Sequence, residues 1–127
     1  MEGIAALYTQ AAVRLRASGA RGIEFCANTP HKVYAQVARN VDIPILHIAD
    51  ATGVAIKKAG LKKVGIIGTL YTMQDGFIGD WLKEHYGIET IVPSSADSQR
   101  ELHRIIQQEL QMGVFKPASS KLRTSTD

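Results

Sequence analysis

Two short stretches hold the residue types best suited to chemistry. The first is Cys26-Ala27-Asn28-Thr29-Pro30-His31. A thiol there stands just ahead of a predicted helix start, whose unpaired N–H groups favour a thiolate. Asn28 and Thr29 add side-chain donors beside it. Those donors and the backbone N–H groups suit a carboxylate, and a thiolate can act as a base on a ligand held that way. The second stretch is Gly68-Thr69-Leu70-Tyr71-Thr72. Its glycine admits a ligand close to the backbone, and its two hydroxyls precede another helix start, which makes a second small anion cradle. It has no Gly-Lys-Ser/Thr ending, so it is not a P-loop, and Gly65-Ile66-Ile67-Gly68 lacks the spacing of a dinucleotide fingerprint. Helix capping is the plainer role for Asn28, Thr29 and Thr69, and more so for Thr72. His31 reads as a first-turn residue that helps position its loop.

The elements that must carry these stretches alternate in period. Ile4, Leu7, Tyr8, Ala11, Ala12 and Leu15 fall at helical spacing, so residues 3–17 read as an amphipathic helix stopped near Gly19. Ile23 to Cys26 is a short strand. Thr29 can cap the next helix, and Pro30 fits its first position, where a missing N–H costs nothing. Ile43 to Ile48 is a second strand, followed by a helix capped by Asp50 and ended at Gly60. Lys63 to Gly68 is the most apolar strand and is expected to be central, with both faces buried. A helix from about Met73 to Tyr86 stops at Gly87, and Ile88 to Val92 is a fourth strand. Asp97 or Ser98 caps a last helix, striped by Leu102, Ile105, Ile106 and Leu110, that ends at Gly113. From Ser119 to Asp127 the chain is polar. Strands alternating with helices predict an α/β fold with parallel sheets and flanking helices. Such sheets collect chemistry beyond their carboxyl ends, where both stretches fall.

Composition removes several classes. The 127 residues are 45% hydrophobic and 21% charged, which argues against global disorder. Fifteen Lys and Arg against 12 Asp and Glu leave +3, too small a surplus for a nucleic-acid binder. One cysteine forms no internal disulfide, and no Cys/His cluster has zinc spacing, so an oxidised scaffold and a structural zinc site are both excluded. No apolar run approaches the ~20 residues of a membrane span, and Met1-Glu2-Gly3 opens no signal pattern. The expected setting is a reducing cytoplasm, with neither membrane nor nucleic acid as partner.

The run Phe25-Cys26-Ala27-Asn28-Thr29-Pro30-His31-Lys32-Val33 resembles the first catalytic motif of the aspartate/glutamate/hydantoin racemase superfamily, Cys-x-Asn-Thr followed by His. The segments Ile45 to Thr52 and Ile67 to Met73 are similar to segments of its cofactor-independent amino-acid racemase branch. So is the helix holding His103-Arg104-Ile105-Ile106 and Glu109-Leu110. Four motifs in order, from about Gly3 to Pro117, are far more specific than the first alone.

The resemblance implies two similar α/β lobes with a small amino acid, of the aspartate or glutamate class, between them. Two thiols face opposite sides of its α-carbon, without pyridoxal phosphate or metal. Cys26 would be the first-lobe base or acid, Asn28 and Thr29 would hold the substrate carboxylate, and Thr69 and Thr72 would hold it from the other side. Family members are often homodimers. The chain departs from the pattern at both ends: the family's opening strand with its glycine-rich loop and its later Gly-Cys-Thr are both missing. The expectation is therefore a central fragment, with residues 1–42 a remnant of the first lobe and 43–127 most of the second, lacking its last strand and the second cysteine. Two functions follow. One is a racemase-type isomerase holding one of its two thiols. The other is a truncated, inactive homologue that binds a small carboxylate or a partner subunit. A decarboxylase of the same superfamily fits less well, because those keep their thiol in the other lobe.

Overall fold

In a computed structural model, residues 2–117 can be described, and they form two compact units that divide between Gly60 and Leu61. The polar stretch from Ser119 onward lies outside the described residues. The division differs from the expected boundary after Asp42 for a concrete reason. Ile45 pairs with Ile23 and Leu46 with Glu24, so residues 43–60 fold with the first unit.

The first unit runs α1 (Glu2–Ala17), β1 (Ile23–Glu24), a 3-10 segment (Thr29–Val33), α2 (Tyr34–Ala38), β2 (Ile45–Leu46) and α3 (Ile48–Lys58). Gly19 ends α1 with φ +98°, and Ala20 N–H donates back to Leu15 O at 3.0 Å, closing the last turn. The helix packs through Ala5, Tyr8 and Ala12, while Ile4, Leu7 and Leu15 remain exposed. The expected apolar stripe is thus rotated: Tyr8 and two alanines face inward, while the aliphatic Ile4, Leu7 and Leu15 face out. β1 and β2 are parallel, with Ile23 and Ile45 buried and Glu24 and Leu46 exposed, the alternation a strand imposes. Phe25, Val33, Val37 and Val41 complete the core around them.

The second unit runs β3 (Lys63–Gly65), α4 (Leu70–Gln74), α5 (Phe77–Tyr86), β4 (Glu89–Ile91), α6 (Ala96–Gln108) and a 3-10 turn (Leu110–Met112). β3 and β4 pair in parallel, and Ile66 N–H extends the ladder to Ile91 O at 2.8 Å. Met73, Leu82, Ile88, Leu102 and Ile105 are its buried apolar residues. Three expectations need correcting. β3 is not a strand buried on both faces: among the described residues its sheet has two strands, and Ile67 is exposed. The helix expected over residues 73–86 is two helices, because Gly76 sits at φ +69° and breaks the chain's course. Ser95, not Asp97 or Ser98, caps α6, accepting from Ser98 N–H. Beyond α6 the buried Glu109 carboxylate is paired with Arg104 at 2.9 Å and Lys116 at 3.9 Å. Hydrogen bonds to Glu101 and Glu109 hold the Arg104 guanidinium firmly protonated.

Candidate functional site

The alternation of β1 continues past its last ladder pair. Phe25 is buried and Cys26 is exposed, so the chain presents the thiol outward directly after a core anchor. Phe25 is fixed edge-on by Tyr8 at 5.1 Å and His31 at 5.4 Å. Cys26, Ala27 and Asn28 bend without regular structure, and the 3-10 segment begins at Thr29.

Asn28, rather than Thr29, occupies the cap position of that segment. It has helical φ/ψ and makes no side-chain cap bond, while its carbonyl accepts from His31 N–H at 3.0 Å. Pro30 lies in the first turn, as its missing donor favours. The side chains of Cys26, Asn28 and Thr29 are all exposed on one turn. A thiol, an amide and a hydroxyl there can offer one base and two neutral hydrogen-bonding groups to a small ligand.

The turn is held from beneath. His31 is 3% exposed, and its Nδ1 lies 2.9 Å from Ala27 O while its Nε2 accepts from Ile48 N–H at 3.0 Å. Its ring lies edge-on to His47 at 4.8 Å. His47 caps α3, its Nδ1 accepting from Ala49 N–H at 3.1 Å. This replaces the expected cap Asp50, which falls in the first turn of the helix instead. Tyr34 stands edge-on to His47 at 5.0 Å and donates its hydroxyl to Ile45 O at 3.1 Å. The turn after β1 and the turn after β2 are thereby joined by aromatic side chains in contact with one another.

The other candidate stretch belongs to the second unit. Thr69 is the true cap of α4: its hydroxyl accepts from Thr72 N–H at 3.4 Å and lies 3.2 Å from the Thr72 hydroxyl. Thr72 is not the cap, and its side chain is buried. Gly68 lies close against the cap, and a Cβ there would sit 3.1 Å from both Cβ and Cγ2 of Thr72 and press on that side chain. His103 reaches across from α6, its Nδ1 accepting from Leu70 N–H at 3.0 Å, and Tyr71 lies edge-on to it at 5.7 Å.

Cys26, Asn28 and Thr29 therefore share one turn, and Thr69 and Thr72 share another. His31 supports its loop as its place in the first turn suggests, but its bond to Ile48 and the supporting roles of His47 and His103 go beyond the residue-type reading, because each depends on a partner brought close by folding. Among the described residues no group of three or more His, Cys, Asp or Glu could hold a metal ion, and no helix is long and apolar enough to cross a membrane.

Comparison with known proteins adds context to this geometry. The family model of Asp/Glu/hydantoin racemases matches residues 2–126. A candidate Asp/Glu racemase from Yersinia pestis superposes with a TM-score of 0.90 at 40% identity, over 96% of this chain and 53% of its own. An aspartate racemase homologue from Pyrococcus horikoshii OT3 superposes with a TM-score of 0.84 at 39% identity, over 97% of this chain and 54% of its own. The chain spans about half the length of these solved structures.

Proposed function

Since the chain belongs to the Asp/Glu/hydantoin racemase family, we propose that it carries the first-thiol half of a cofactor-independent amino-acid racemase site. Cys26, as thiolate, takes the α-proton of a small amino acid of the aspartate or glutamate class. The C–H electron pair stays on carbon, next to the carboxylate, and the proton stays on sulfur. Asn28 and Thr29 donate to the substrate carboxylate and restrain it against the thiol. Thr69 and Thr72, whose hydroxyls lie 3.2 Å apart at the start of α4, are a second pair of carboxylate-binding residues, with Thr72 orienting the Thr69 hydroxyl. The single observation that carries the proposal is the exposure of the thiol on one turn with Asn28 and Thr29, directly after the buried Phe25.

Inversion needs a second acid on the opposite face of the α-carbon. The 127 residues contain one cysteine, so a two-thiol reaction draws its other thiol from a different polypeptide segment or subunit. With Cys26 alone, a proton removed from one face returns to the same face.

The single cysteine also favours the second reading, a catalytically silent homologue that binds a small carboxylate. Ligand protection tests the binding shared by both. Alkylation of Cys26 by iodoacetamide should slow as L-aspartate or L-glutamate is raised into the millimolar range, and calorimetry on Cys26→Ala should retain the ligand. Unchanged alkylation at saturating concentrations of both amino acids would remove the carboxylate site and both readings with it.

A further inference from the structure

His31 is buried, and both of its ring nitrogens are occupied. The Ile48 amide can only donate, so Nε2 must present its lone pair at 3.0 Å. The ring proton therefore sits on Nδ1, which donates to Ala27 O at 2.9 Å. One neutral tautomer satisfies both bonds. An imidazolium would turn Nε2 from acceptor to donor and set it against the Ile48 N–H. For the same reason His31 cannot take the proton of Cys26 without giving up its bond to Ile48, so its geometry is that of a support and not of a proton shuttle.

The support acts at a specific place. Ala27 is the residue after Cys26 and lies in the bend between β1 and the 3-10 segment, where no ladder fixes the backbone. Ile48 is the first residue of α3, directly beyond β2. One imidazole thus ties the thiol-bearing turn to the neighbouring turn at the same end of the β1–β2 pair. Edge contacts from Phe25 and His47 hold the ring in place.

We propose that His31 is the positioning residue for Cys26, fixing the direction and reactivity of the thiol through the Ala27 carbonyl; its meaning for catalysis rests on the function proposed above. The chain has one cysteine, so alkylation reports on that thiol alone. The experiment follows the rate of iodoacetamide alkylation against pH in wild type, His31→Phe and His31→Asn, with circular dichroism melts on each. His31→Phe keeps an aromatic ring and loses both bonds. His31→Asn places an amide donor near the Nδ1 position and cannot reach Ile48.

The expected result is a change of about fivefold in the alkylation rate of folded His31→Phe, with its pH profile displaced, consistent with the loss of the hydrogen bond to the Ala27 carbonyl. His31→Asn should return the rate to within about twofold of wild type, even though its melt stays lower for want of the Ile48 bond. A purely structural histidine would lower the melts and leave the pH profile unmoved. The proposal is overturned if folded His31→Phe alkylates with the wild-type profile, or if His31→Asn alkylates unlike wild type. Should His31→Phe fail to fold, His31→Leu, which also loses both bonds, takes its place against His31→Asn. None of these readings needs the amino acid to bind, so a failure of ligand protection and a failure of this proposal are seen separately.

Discussion

Gly79 lies within α5 against β4, and a Cβ built on it would fall 2.5 Å from Thr90 Oγ1, 3.6 Å from Thr90 Cβ and 3.9 Å from Thr90 Cγ2. Gly79→Ala therefore sets two effects against each other. A helix-interior glycine replaced by alanine gains about 1 kcal/mol from backbone entropy and propensity. Forcing a methyl to within 2.5 Å of an oxygen requires Thr90 to rotate or β4 to shift, and overpacking of this kind costs roughly 1–3 kcal/mol. Thr90 is β-branched and sits in the β3–β4 ladder opposite Val64, so its rotation is restricted. The net expectation is a destabilisation of about 1 kcal/mol. With Thr90→Ala the clashing oxygen is gone and the remaining Cβ contact is ordinary, so Gly79→Ala should then stabilise by about 1 kcal/mol. The coupling between the two positions is about 2 kcal/mol, well above the usual error of additivity. Urea unfolding of the four proteins, followed by the fluorescence of Trp81, the sole tryptophan and a residue of the same helix, measures it. If Gly79→Ala is equally stabilising with and without the Thr90 hydroxyl, α5 and β4 do not approach as described. The packing that carries β3 toward the Thr69 turn would then be wrong.

Three further outcomes follow from the same structure. Thr69→Ala should cost about 1 kcal/mol in a urea midpoint through loss of the α4 cap, with Thr69→Ser recovering most of it. The hydrogen bond from Arg16 holds the exposed Asp42 carboxyl below the ordinary carboxylate range. Its contribution is present above the unfolded value and is lost as pH falls through the lowered folded one. The stability difference between wild type and Asp42→Asn should therefore shrink on acidification and in high salt, as pH-dependent melts would show. Finally, chiral chromatography should find no useful conversion of L- to D-aspartate by the 127-residue chain alone. Rapid conversion would mean that one thiol suffices, against the geometric argument.

Much of the fold was readable from local signals. The stops expected at Gly19, Gly60, Gly87 and Gly113 all coincide with positive φ, because a left-handed residue after a helix is a local requirement that glycine meets most cheaply. Gly76 escaped notice, since a lone glycine inside a helical pattern does not announce whether it bends the chain. Strand length was less legible: Ile43 to Leu46 is an apolar run, yet only Ile45 and Leu46 pair, and pairing depends on where a distant strand ends. The positions of the chemical groups were legible because thiol, amide and hydroxyl occur within four residues of one another. What holds them was not. The bonds from His31 to Ile48 and from His103 to Leu70 span 17 and 33 residues, and no local pattern marks a histidine as an acceptor for a distant backbone amide.

The most direct test of the central claim follows the α-proton of L-aspartate by NMR in heavy water, with the purified chain and with Cys26→Ala. The account predicts that the wild-type chain washes deuterium into the α-position while the product stays L, and that Cys26→Ala does not. Exchange that persists without Cys26, or a wild-type chain that binds aspartate and leaves its α-proton untouched, would contradict it.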